Sequence, residues 1–126
     1  MNEFNLLILS TSLDEMFVLL KDKNDNIYKK SLLDKKSGNY LAKAVKDTLK
    51  EANVTINDIE KFAVDIGPGS FTGIRVAIAT LQGLLVSQPE KEVYTFLSTD
   101  FLCHSSLIKY KNDLLNKKLA VLKRAR

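Results

Sequence analysis

The sequence predicts an α/β lobe in which a three-strand antiparallel meander runs on into parallel strands with covering helices. Three observations carry this reading. Three short apolar runs follow one another near the N-terminus with only tight links between them. Beyond them, apolar strands alternate with amphipathic helical stretches, the order that gives parallel pairing beneath helices. The length of 126 residues suits one domain able to bury its own core.

Each element has its own signal. Residues 4–9 form an apolar run long enough for a buried strand, and residues 16–20 form a second. Between them and the next strand, residues 21–26 read KDKNDN, a turn rich in Asn and Asp, which tolerate bent backbone and bond locally. Ile27, Tyr28 and residues 31–33 supply the third strand. A helix follows, because Leu41, Ala44, Val45, Thr48, Leu49 and Ala52 recur at three- and four-residue steps. Ser37 is its expected start and Asn53 its expected stop.

Residues 62–66 then make a compact strand that runs straight into Gly67-Pro68-Gly69-Ser70-Phe71-Thr72-Gly73. A second helix is expected over residues 71–87, ended by Pro89. Residues 93–97 read as another strand. Ser98 or Thr99 caps a third helix carrying Phe101, Leu102, Leu107 and Ile108. Residues 119–122 open one more strand. A meander joined to such a strand–helix alternation is the plan of a ribonuclease H-like or actin-like lobe. No internal repeat, low-complexity tract or linker interrupts it.

Composition narrows the class. Hydrophobic residues make up 45% and charged residues 27%, an ordinary globular mix. The single cysteine, Cys103, excludes an internal disulfide and suits a reducing compartment. No positively charged region precedes an apolar run at the N-terminus, so no secretory signal is expected. The longest apolar-leaning stretch, residues 70–86, falls short of the ~20 residues of a membrane span. A cytoplasmic protein without a membrane partner is the expectation. The net charge of +4 comes from scattered lysines, which read as a solvated surface. The one dense cluster is Lys117, Lys118, Lys123, Arg124 and Arg126, where a nucleic-acid contact would be electrostatic.

The glycine-rich segment admits two readings. A loop opening a helix can cradle a phosphate on its free N–H groups. Yet the segment has no P-loop lysine, and its spacing fits neither the Walker pattern nor the dinucleotide fingerprint. The plainer reading is a tight strand-to-helix turn: Gly67 and Gly69 adopt positive φ, Pro68 stiffens the bend and Ser70 caps the helix. The plainer reading is preferred.

The helix after the loop has Arg75 as its one charged residue. Phe71, Ile74, Ile78, Leu81 and Leu85 are expected to pack on the sheet. Gly73, Ala77, Thr80 and Leu84, with Val76 and Gly83 beside them, leave a second face that is small and uncharged. A helix apolar around most of its circumference is normally buried on more than one side. Gly73, Arg75, Val76, Ala77, Thr80, Gly83 and Leu84 are therefore expected to meet another polypeptide, either a second copy or a different subunit. The competing reading is burial by the chain's own first helix.

The stretch from Asp65 through Gly67-Pro68-Gly69-Ser70-Phe71-Thr72-Gly73 to Ile74-Arg75-Val76, continued by Ala79-Thr80-Leu81-Gln82-Gly83-Leu84, resembles the signature of the bacterial TsaB family. Leu7-Ile8-Leu9-Ser10-Thr11-Ser12 resembles that family's opening strand, and Leu97-Ser98-Thr99 the end of a later one. The resemblance extends to about Leu107. It implies a degenerate fold of the actin-like ATPase superfamily (ASKHA), with residues 1–126 as the N-terminal lobe. It also implies a non-catalytic subunit that dimerises with TsaD and supports formation of N6-threonylcarbamoyladenosine next to the tRNA anticodon. A TsaE-like ATPase belongs to the wider complex, a homodimer is an alternative pairing, and tRNA is met through the complex. ATP and magnesium are expected on the partner subunits, with none bound by this chain alone.

Two departures from the family pattern stand out. The opening strand usually ends Asp-Thr-Ser, whereas here it ends Ser10-Thr11-Ser12. A second lobe usually follows, and here residues 119–122 would only begin it.

An enzyme of another kind, a degenerate actin-type nucleotide-binding enzyme or a peptidase-like protein, has little support in the residues. His104 and Cys103 are adjacent on an expected helix and point apart, a poor metal pair. A serine nucleophile at Ser70 or Ser10 would need His104 brought beside it, and no Gly-x-Ser-x-Gly motif is present. No catalytic residue and no metal site are expected.

Overall fold

Alternation with a period of two turns one side of each strand toward the helices and builds the core from there. The computed structural model describes residues 4–13, 15–32 and 38–98. Its strands are β1 (Leu6–Ser10), β2 (Phe17–Lys21), β3 (Ile27–Ser31), β4 (Lys61–Asp65) and β5 (Glu92–Phe96). Its helices are α1 (Gly38–Glu51) and α2 (Phe71–Leu85), with a short 3-10 turn at Ile56–Asp58 that the sequence did not announce. The sheet runs β3-β2-β1-β4-β5. β1 to β3 pair antiparallel, whereas β1 with β4 and β4 with β5 pair parallel. The expected meander and parallel extension are both present.

Register explains the core. Leu7 lies between Leu20 and Phe62, and Leu9 between Val18 and Val64. These six side chains share one face and are all buried, together with Leu41, Ala44 and Val45 of α1 and Ala77 and Leu81 of α2. α1 packs over β2 and β3, α2 over β1 and β4, and the two helices touch. Each large side chain so buried contributes about 1.5–3 kcal/mol, which makes this layer the main stabilising feature.

Local signals end the elements as expected. Asn53 adopts φ 56°, and the N–H groups of Asn53 and Val54 reach back to Lys50 and Leu49 carbonyls at 3.1 Å, a left-handed helix stop. In the β2–β3 hairpin, Asp22 Oδ1 accepts from the N–H groups of Asn24 and Asn26, each at 2.9 Å. The expected third helix, the strand at 119–122, Ser37, Cys103, His104 and the basic tail lie outside the described residues.

Candidate functional site

The ends of β1 and β4 meet the glycine loop in a tight corner. Gly67 has φ 94°, a conformation open to glycine and costly for other residues. Gly69 and Gly73 are required for a different reason, namely close approach. A Cβ on Gly69 would stand 2.2 Å from the Ser12 carbonyl oxygen, and one on Gly73 would stand 2.0 Å from that of Thr11. The loop backbone is thus pressed directly on the segment following β1. Two hydrogen bonds seal the contact: the Ser70 N–H donates to Ser12 O at 2.8 Å, and Thr11 Oγ1 donates to Gly73 O at 2.5 Å.

Ser70 caps α2, its Oγ accepting from the Gly73 N–H at 3.1 Å, as the sequence predicts. On the far side, Ser98 N–H donates to Gly67 O at 2.9 Å and Ser98 Oγ to Pro68 O at 2.8 Å. The N–H groups of Gly67, Ser70 and Gly73 are all engaged within the chain. A phosphate drawn to those three N–H groups would have to displace their partners, which agrees with the packing turn.

At the centre of the corner lies Asp65, fully buried. Its Oδ1 accepts from the Gly67 N–H at 2.8 Å, and its Oδ2 accepts from Ser10 Oγ at 3.2 Å and from Ser12 Oγ. Sequence reasoning assigned this residue no role. The available signal was a charged residue near the end of the apolar run at 62–66. Among the described residues, no group of three metal-ligating side chains converges.

The faces of α2 follow the sequence expectation in part: Ile78, Leu81 and Leu85 pack on the core as expected, whereas Gly73, Ala77 and Phe71 do not lie where expected. Gly73, Ala77 and Leu81 form its buried line, with Ala77 at 0% exposure. Gly73 and Ala77, expected to meet another polypeptide, are instead sealed within this chain. Gly73 lies against the Thr11 carbonyl. Ala77 sits in the core, where α2 packs on α1, the competing reading, as well as on β1 and β4. Val76, Thr80 and Leu84 are half-buried, whereas Arg75 and Gly83 are exposed. Phe71, expected to pack on the sheet, is 69% exposed, with the Arg75 guanidinium 5.5 Å from its ring centroid. The physical reason is the backbone contact at Gly73: the helix can approach that closely only with its smallest residues facing in. The outward face therefore carries Phe71, Thr72, Arg75, Ala79, Gln82 and Val86. Thr72, Arg75, Val76 and Ala79 line a shallow depression of about 320 Å³.

A second apolar groove, about 430 Å³, runs between α2 and β5 and is lined by residues that include Val64, Ile78, Leu85 and Val93. No helix of the described residues is long and apolar enough to cross a membrane.

Strand order 3-2-1-4-5, with both described helices on one face and a glycine turn leading from β4 into α2, defines a lobe of the actin-like (ASKHA) class. YeaZ from Pseudomonas aeruginosa superposes with a TM-score of 0.75 at 27% identity, over 86% of this chain and 50% of that one. A crystal structure described as an uncharacterized protein with similarity to peptidase YEAZ from Pseudomonas aeruginosa gives 0.76 at 27% identity, with the same coverage. Residues 31–114 match the family model described as TsaD: tRNA N6-adenosine threonylcarbamoyltransferase, and the chain belongs to that family.

Three curated relatives are TsaB proteins, each described as a tRNA threonylcarbamoyladenosine biosynthesis protein. That of Buchnera aphidicola subsp. Baizongia pistaciae is 32% identical over 83 residues, covering 66% of this chain and 36% of the relative. That of Buchnera aphidicola subsp. Schizaphis graminum is 28% identical over 113 residues, covering 84% and 50%. That of Haemophilus influenzae is 29% identical over 84 residues, covering 67% and 36%. The match takes in between about a third and half of each relative's length.

Proposed function

We propose that this chain is a non-catalytic subunit in the formation of N6-threonylcarbamoyladenosine on tRNA, docking through the outer face of α2 on a TsaD-like subunit. The observation that carries the reading is that face itself. Phe71 and Val86 are 69% and 80% exposed, and Arg75 is the one charge along the helix. Exposed aromatic and arginine side chains around a shallow depression are the usual anchors of a protein interface. The family membership and the TsaB relatives support a TsaD-like subunit as the partner.

The same face takes a second copy of the chain when the partner is absent. A TsaE-like ATPase joins the wider assembly, ATP and magnesium are held by the partner subunits, and tRNA is reached through the complex. The N–H groups of Gly67, Ser70 and Gly73 support this division of labour, because each already has a partner within its own chain.

The test is assembly. Mixed with the TsaD-type subunit from the same cells, the chain should form a one-to-one complex by light scattering. Ala79→Arg, placing a second cation beside Arg75 in the depression, should weaken that complex at least ~30-fold. Ala79 is exposed, so the fold should tolerate the change. A wild-type mixture that remains two separate species would overturn the reading.

A further inference from the structure

We propose that Asp65 is the positioning residue of the glycine loop, and that the corner between β1 and β4 accepts one carboxylate, which either strand can supply. The proposal rests on the docking role of α2, since what Asp65 positions is that helix's first turn. It stands on three observations.

The first is burial. Asp65 is 0% exposed, and Ser10 and Ser12 are 1% and 2% exposed. The second is the donor set. The N–H of Gly67 and the hydroxyls of Ser10 and Ser12 converge on the two carboxylate oxygens, and none of the ion pairs among the described residues reaches Asp65. A buried carboxylate stabilised by neutral donors is held in place by their geometry. One side chain therefore ties together the end of β1, the segment after it and the turn into α2.

The third observation is the neighbour. Ser10 and Asp65 directly follow the paired residues Leu9 and Val64 on adjacent parallel strands, and the Ser10 hydroxyl lies 3.2 Å from Asp65 Oδ2. The acid enters the corner from β4, and a serine faces it from the matching position on β1. Two acids there would place like charges a few ångströms apart in a buried site, which is strongly unfavourable.

This makes a non-additive prediction. Ser10→Asp alone should lower Tm by more than about 5 °C. The transposed variant Ser10→Asp, Asp65→Ser should recover at least half of that loss, although it carries one change more. If Ser10→Asp does not fold, folding of the transposed variant is itself the readout. Asp65→Ala should speed amide exchange at Gly67 and Ser70 at least tenfold while leaving Val18 and Leu20 of β2 unchanged. Asp65→Asn, which still presents an acceptor to the Gly67 N–H, should keep that protection. Affinity for the TsaD-type subunit should fall at least tenfold in Asp65→Ala and hold in Asp65→Asn.

If the wild-type chain does not bind that subunit, the docking role fails, while exchange and melting still decide the role of Asp65. A transposed variant no more stable than Ser10→Asp, or unchanged exchange at Gly67 in Asp65→Ala, would overturn the proposal.

Discussion

Replacing Phe71 with alanine removes the largest exposed group near the start of α2, and its consequence can be worked from the structure. The side chain is 69% exposed, and an aromatic of this size buries roughly 200 Å² when fully covered. About 140 Å² therefore remains for a partner to cover, or about 3.5 kcal/mol at 25 cal/mol per Å². Alanine keeps the Cβ, and the Arg75 guanidinium stacked 5.5 Å from the ring loses its support. A net loss of about 2–3 kcal/mol follows, equivalent to a Kd raised ~30- to 150-fold. The fold itself should hardly notice, because the ring contributes little to the core. The assay is isothermal calorimetry against the TsaD-type subunit, with thermal melting of the free chain as control. A Kd within twofold of wild type would refute the reasoning, and so would a large drop in Tm in the free chain.

Glycines in α2 should respond in opposite directions. Gly73→Ala forces a Cβ to 2.0 Å from the Thr11 carbonyl and should cost about 3 kcal/mol or more in urea unfolding. At Gly83 a Cβ meets nothing within 4 Å, and Gly83→Ala should stabilise by about 0.5–1 kcal/mol. The acid limb of stability should depend on Glu60. Burial raises its carboxyl, but hydrogen bonds from the Asn5 N–H at 2.7 Å and from Lys23 outweigh that and hold it below the ordinary glutamate value. A carboxyl lowered in the folded state stabilises at neutral pH, and that contribution is lost as pH falls below about 4.3 and through the folded value. The Tm gap between wild type and Glu60→Gln should therefore close between pH 6 and pH 3. Partial exposure limits the gap to about 1 kcal/mol or less. A gap constant across that range would contradict the assignment.

Most of the fold was legible because its elements have clean periods. The six inward residues of β1, β2 and β4 alternate as strands should, and α1 separates its apolar and charged sides. Ser70 and Asn53 sit where a cap and a stop were expected. The orientation of α2 was legible only in part: Ile78, Leu81 and Leu85 pack inward as expected, but Gly73 and Ala77 do so as well and Phe71 does not. Its sequence has no polar stripe to mark the outside, since Arg75 is its one charge, and the small residues Gly73 and Ala77 say that something approaches closely without saying what. The structure supplies the answer in the main chain after β1, some sixty residues earlier. Asp65 was hidden in the same way: its serine partners lie 55 and 53 positions away, and no local pattern joins them.

The corner at Gly69 and Gly73 touches through carbonyl oxygens, which every residue possesses and no substitution alters. A clash between two side chains can be cured by trimming either one. Here only the glycine side of the contact has anything to change, so any larger residue must move the chain itself. A stretch built this way is restricted in sequence by backbone contact alone. What the contact records is joinery, the tightness with which two strands and a helix are locked together.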